Sequence, residues 1–200
     1  MALFVCGMSE GLLLQANLGN SPWTILSQGI ALHTSLSVGM ATFSISAAVL
    51  LMWLVLRIKL GLNTVLNAIM VAISIDITRT YVPPPTEYWQ QIAFVVLGIS
   101  LSAIGGAVYL AANMGAGPRD GVMVTLSMRY GWSVKTTRSC LEIGACLSGW
   151  LLGGTVGLGT LMFAFLIGPV FAGVLNVLRR LFHNNPQAML EKAESTKSVL

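Results

Sequence analysis

Ala16-Asn17-Leu18-Gly19-Asn20-Ser21-Pro22 and Ala112-Asn113-Met114-Gly115-Ala116-Gly117-Pro118 hold matching places 96 positions apart, and the repetition they open decides the fold. Without a gap, Ser37-Val38 falls on Ser133-Val134, and Gly61-Leu62-x-Thr64 falls on Gly157-Leu158-x-Thr160. Leu51, Leu56 and Ala68 also meet identical residues. Apolar matches come cheaply in an apolar chain. Matches of Asn, Gly, Pro, Ser and Thr in one fixed register do not.

The medium in which this repeat folds follows from composition. The 200 residues are 55% hydrophobic and only 9% charged, against roughly 25% charged in soluble domains. Mean hydropathy is +0.79. A water-soluble chain of this length has too little interior for that much apolar surface, so an integral membrane protein is indicated. Disordered, collagenous, disulfide-framework and nucleic-acid-binding classes are excluded with it. Cys6, Cys140 and Cys146 are odd in number and lie in apolar runs, which argues against disulfides. His33 and His183 are far apart, and neither a CxxC nor a metal-ligand cluster occurs, so no metal or other cofactor is expected. The N-terminal run lacks a basic region and a clean small-residue cleavage site, and reads as a retained helix rather than a signal peptide.

A membrane-spanning helix needs about 20 mostly apolar residues at about 1.5 Å of rise each. Six segments meet or approach this: Met1 to Leu18, Ser37 to Leu56, Asn63 to Thr80, Trp89 to Ala112, Ser133 to Gly153, and Leu158 to Leu178. Pro22 to His33 and Pro118 to Tyr130 are too short to span, and each opens with Pro at its first helical position. The expected fold is therefore all-α. Repeat 1 covers residues 1–80, an outer loop 81–88, repeat 2 residues 89–178, and a polar tail 179–200.

Three spans per unit is an odd number, so the second copy enters the membrane inverted, the plan of many transporters. Basic residues test this independently. With the N-terminus in the cytoplasm, ten of the 11 Lys and Arg fall on inner loops and the tail, and only Arg79 falls outside. The fourth span begins near Trp89, whose counterpart precedes residue 1. The first helix is thus short at its inner end, and a true start upstream of Met1 is the expectation.

Asn17-Leu18-Gly19-Asn20-Ser21-Pro22-Trp23, Gly115-Ala116-Gly117-Pro118-Arg119-Asp120-Gly121-Val122-Met123, Gly131-Trp132-Ser133-Val134-Lys135 and Gly157-Leu158-Gly159-Thr160 resemble the bacterial YczE-like membrane proteins, grouped with YyaS and YitT. The likeness runs from about Gly11 to Leu178, and Gly-Pro-Arg-Asp-Gly is its most specific part. Members often carry Gly-Pro-Trp-Asp in the first repeat, where this chain has Ser21 and Thr24 in the Gly and Asp places. The resemblance implies a multi-pass protein of the bacterial plasma membrane and brings no activity with it.

Charges inside a bilayer cost at least about 2.5–3.5 kcal/mol on insertion scales, so each calls for a reason. Glu142 lies about 13–14 Å into its helix, near mid-membrane, with Arg138 one turn earlier on the same face. The pair reads either as a cavity carboxylate exchanging a proton or cation, or as a structural lock. Arg119 and Asp120 open the second short helix, whose unpaired N–H groups suit an anion. A re-entrant helix would make Arg119 an anion clamp. A helix lying flat at the cytoplasmic surface, the favoured geometry, would leave Asp120 to satisfy the dipole and Arg119 to meet lipid headgroups, with Trp23 suited to the interface.

Glu10 has no partner nearby in sequence, whereas Asp76 can pair with Arg79 one turn on. Asn17 and Asn113 read first as caps at the helix breaks and second as ligands. Gly149-x-x-x-Gly153 and Gly98-x-x-x-Ser102 read as packing faces.

These features point to a small secondary transporter of a small molecule or ion, its site lying between Glu142, Arg138 and the breaks around Asn17 and Asn113. The alternative is a non-transporting assembly or regulatory protein that works through its basic cytoplasmic face. An enzyme is not expected, because no nucleophile–base pair or metal motif is present. The bilayer is the expected surrounding, no nucleic acid is expected, and six spans are few enough to suit a homodimer.

Overall fold

The computed structural model describes residues 1–55, 61–112 and 117–183, and these form eight α-helices with no strand among the described residues. In chain order they are α1 (Ala2–Ala16), α2 (Pro22–His33), α3 (Val38–Val55), α4 (Leu62–Tyr81), α5 (Tyr88–Ala111), α6 (Pro118–Tyr130), α7 (Val134–Leu151) and α8 (Leu158–His183). The ends have local causes. Pro22 and Pro118 each fill the first helical position after an extended N-cap, Ser21 and Gly117 respectively. Asn17 ends α1 in the left-handed region at φ 51°, a conformation that Asn tolerates better than most residues.

Close packing of α1 organises the bundle. A Cβ at Gly98 would lie 2.9 Å from Leu13 Cγ and 3.0 Å from the Ser9 carbonyl oxygen, and one at Gly105 would lie 2.7 Å from Cys6 Sγ. The numbering runs in opposite senses, so α1 and α5 are antiparallel. Gly7 meets Val71 and Ser74, and Gly11 meets Thr78, so α1 and α4 run parallel. Small residues let these backbones approach where lipid, as apolar as the side chains, supplies little drive for association. Leu13 and Ala16 of α1 form one buried cluster with Val95 and Ile99 of α5, and Leu14 of α1 forms another with Val38 of α3 and Ile75 of α4.

Outside this centre, α2 packs on α3 and α7, and α6 packs on α3 and α7. Gly149 is pressed against the Ile25–Leu26 backbone, whereas Gly153, its partner in the sequence pattern, ends α7 at φ 83° instead of packing. One collar ties distant loops together. Asn20 Nδ2 donates to Gln28 Oε1 (2.8 Å), Thr155 N–H donates to the same oxygen (2.9 Å), and Gln28 Nε2 donates to Thr155 Oγ1 (3.0 Å). Gly159 N–H adds a bond to the Leu18 carbonyl (2.7 Å).

Among the described residues, three helical stretches are long and apolar enough to cross a membrane alone: Leu62–Tyr81, Tyr88–Ala111 and Leu158–Leu178. A fourth is gained if Pro22–His33 and Val38–Trp53, bent by 114°, count as one broken span. The other expected spans fall short for separate reasons. The apolar helix α1 has 15 residues, and α7 carries Lys135, Arg138 and Glu142.

Candidate functional site

A cavity of about 270 Å³ opens among the helices, and all eight contribute to its wall. Both Pro-headed helices present their first turns to it: Ser21 to Thr24 from α2, and Gly117 to Arg119 from α6. Gly117, Pro118, Ser21 and Thr24 are buried, and α2 packs on α3 and α7, so both heads are covered by neighbouring helices.

Neither head is capped by its own N-cap side chain. At α2 the negative charge comes from a different helix. Ser21 Oγ and Thr24 Oγ1 each donate to Glu10 Oε2 at 2.7 Å, which sets a carboxylate beside the positive end of the α2 dipole. Oε1 of Glu10 has no donor, and the residue makes no ion pair among the described residues. The short hydroxyl residues at positions 21 and 24 therefore receive an acid rather than supply one. That link spans 11 and 14 residues, and local spacing does not reveal it.

At α6 the head is held by an aromatic clamp. Trp53 on α3 is 2% exposed, and its Nε1–H donates to the Pro118 carbonyl at 2.8 Å. Its ring occupies the space that a side chain at Gly121 would need. From the next position of α6, Arg119 sets its guanidinium carbon 4.8 Å from the centroid of Trp23, a cation–π contact between the two helix heads. Neither Trp53 nor this stack was legible as a site feature in the sequence.

On the α7 wall, Arg138 Nε donates to Glu142 Oε1 at 2.8 Å, the one-turn pair anticipated from spacing. Their side chains are 57% and 33% exposed, so this is a partly open pair on the cavity wall rather than a buried lock. Glu10, Arg119, Arg138 and Glu142 thus border one cavity. Asn17 is exposed at the end of α1 and lies outside the lining. Asn113 and the side chain of Asp120 lie outside the described residues.

Asp76 also stands apart from the cavity, and its partner differs from the expected Arg79. It accepts from Ser37 Oγ (2.5 Å) and Gly39 N–H (2.9 Å), and so caps the start of α3. No group of three or more His, Cys, Asp and Glu side chains suited to a metal ion occurs among the described residues.

Apolar helices of spanning length around a half-open cavity with charged walls define a polytopic helical membrane protein. Comparison with known proteins gives the family. The chain matches the family of unknown function DUF6198 over residues 1–176 and belongs to it, as a YczE-like protein. It is 47% identical over 182 residues to an uncharacterized protein of Haemophilus influenzae, covering 91% of this chain and 84% of that one. It is 32% identical over 152 residues to the uncharacterized membrane protein YczE of Bacillus subtilis, covering 76% and 71%. No solved structure matches.

Proposed function

We propose that this chain is a small secondary transporter of the bacterial plasma membrane whose substrate site is the charged central cavity. Its six spans form two inverted repeats of three, each with a re-entrant Pro-headed helix, and both termini are cytoplasmic. Transport rather than chemical conversion is the task assigned to the site.

The helix contacts support the repeat arrangement. The α1–α4 contact is answered by α5–α8, α2–α3 by α6–α7, and α2–α7 by α3–α6. Particular residues follow the same rule under the 96-position shift. Gly98 beside Ser9 answers Gly105 beside Ala2, and Gly149 beside Ile25 answers Trp53 beside Gly121. Trp23 and Arg119 are each other's counterparts and touch, as residues on a two-fold axis must. The distribution of Lys and Arg supports the orientation.

The observation that carries the function is where the charges lie. Two acids and two arginines line one cavity at the junction of the halves, and intramembrane charge of this kind marks a pathway. Glu142, on the partly open wall, is the group assigned to proton or cation exchange. Purified protein in liposomes, loaded with an internal pH dye and offered pooled metabolites, tests this. Accumulation of a pool component above empty vesicles is expected, with coupled proton movement lost in Glu142→Gln. Absence of accumulation from every pool, with folded protein verified in the vesicles, would overturn the transport assignment.

A further inference from the structure

The two halves line the cavity with matching positions of the 96-residue shift. Thr42 and Ser46 of α3 are answered by Arg138 and Glu142 of α7, and Val71 and Ile75 of α4 by Ile167 and Phe171 of α8. One seam breaks the match. Helix α3 packs along α4, whereas α7 and α8 have no packing of that extent among the described residues.

The outer positions of α8 show what the open seam lacks. On α4, Ala68 and Ala72 are buried, and Gly39 of α3 lies directly against the Ala72 carbonyl oxygen and the Asp76 carboxylate. Their counterparts on α8, Ala164, Gly168 and Ala172, are exposed, and a Cβ at Gly168 would meet nothing within 4 Å. Bulk is exchanged between the seams in a compensating way. Where α3 has Gly39, Thr42 and Ser46, α7 has Lys135, Arg138 and Glu142. Where α4 has Ala72 and Asp76, α8 has Gly168 and Ala172. The small residues of α8 leave the room that larger ones on α7 need, and they permit close helix approach in lipid. Arg138 and Glu142 already pair, so closure would cover a neutral pair instead of a lone charge.

Local chemistry separates the fixed part of α8 from the part free to move. Gly159 N–H bonds to the Leu18 carbonyl and holds the start of α8. Pro169 stands inside α8 where α4 has Ile73, and it leaves the Phe165 carbonyl without its helical donor, so the helix bends more easily there.

We propose that α8 from Gly168 onward is a gate, which closes on α7 as α4 lies on α3 and seals the Arg138–Glu142 wall of the cavity. This rests on the two-repeat transporter reading and adds how its site is opened and shut. On the topology proposed above, the gate faces the cytoplasm.

In protein carrying Cys6→Ala, Cys140→Ala and Cys146→Ala, the pair Lys135→Cys with Ala172→Cys takes the places of Gly39 and Asp76, which touch in the first repeat. Both sites are exposed, so neither change strains the fold. A disulfide needs Cα atoms within about 7 Å, so oxidation in liposomes reports closure. The pair should link at monomer mass. Gly168→Leu enters space that is empty in the open form, so the thermal midpoint should not fall, yet linking should slow about tenfold or more through overpacking of the closed seam. Gly168→Ala, which matches Ala72, should keep linking within about threefold of the parent.

No link in protein whose two cysteines both accept a maleimide would overturn the gate, as would a link indifferent to Gly168→Leu. A link found only at twice the monomer mass would also overturn it and give this face to a second copy. Linking with no accumulation of any pool in liposomes would sustain the gate and remove the transport reading. Accumulation undiminished in the Gly168→Leu protein would overturn the gate and leave transport standing.

Discussion

Gly121→Ala tests the clamp on the head of α6 at its tightest point. A Cβ there would sit 2.6 Å from Cη2 and 2.7 Å from Cε2 of Trp53, where carbon atoms settle at about 3.5–4.0 Å. Cζ2 of Trp53 would lie closer still, so the indole must move by about 1.5 Å, yet it is 2% exposed and tied to the Pro118 carbonyl. Overpacking of this kind costs about 1–3 kcal/mol, and a loosened hydrogen bond adds about 0.5–1.5 kcal/mol. Alanine returns about 0.8–1.0 kcal/mol of helix propensity, which leaves a net loss of about 1–3 kcal/mol.

Equilibrium unfolding in mixed micelles measures that loss, and a double-mutant cycle assigns it to the ring. Trp53→Phe removes the indole N–H and part of the ring, so it destabilises alone but relieves the collision. The combined Trp53→Phe/Gly121→Ala protein should be at least about 1 kcal/mol more stable than the sum of the single effects. Strictly additive losses, or a Gly121→Ala protein stabilised by its propensity gain, would refute the clamp.

Asp76→Ala should cost about 1–2 kcal/mol, because it strips the Ser37 hydroxyl and the Gly39 N–H of their acceptor at the start of α3. Thermal midpoints in detergent should show that loss, while Arg79→Ala, outside this cap, leaves them nearly unchanged. Gly19→Ala should destabilise by more than about 1 kcal/mol, since φ is +114° and the added methyl would meet Thr160 Oγ1 at 2.6 Å. Replacing both donors to Glu10, as Ser21→Ala with Thr24→Val, should cost about 1–3 kcal/mol in the same assay by leaving the carboxylate undonated. Adding Glu10→Gln to that pair should recover part of the loss.

Much of the skeleton could be read along the chain because its causes are local. Pro at a first helical position acts on the residues beside it, and α2 and α6 begin and end where Pro22–His33 and Pro118–Tyr130 were expected. The Arg138–Glu142 pair follows from one turn of helix in the same way. Depth within the fold was harder to read. Composition alone made Trp23 and the short helices look interfacial, and only their packing against α3 and α7 turns the heads inward.

The most instructive misses join residues far apart in sequence. Trp53 finds Pro118 across 65 positions, and Asp76 finds Ser37 across 39, where the nearest opposite charge had suggested Arg79. Ser21 and Thr24 looked like lost acids because the acid they serve sits on another helix. Hydroxyl spacing carries no mark of which carboxylate will arrive, so the pattern could be seen while its meaning could not.

The Gln28 collar has a mechanical consequence. Its three side-chain bonds and the Gly159–Leu18 bond join the turn after α1, the middle of α2 and the α7–α8 loop into one rigid body. At about 0.5–1.5 kcal/mol each, parting these pieces would cost several kcal/mol at once, more than thermal fluctuation supplies often. An entrance to the cavity on that side cannot be cut through the collar. The 114° elbow between α2 and α3, four residues long, lies outside the collar, and Asp76 caps only its far end.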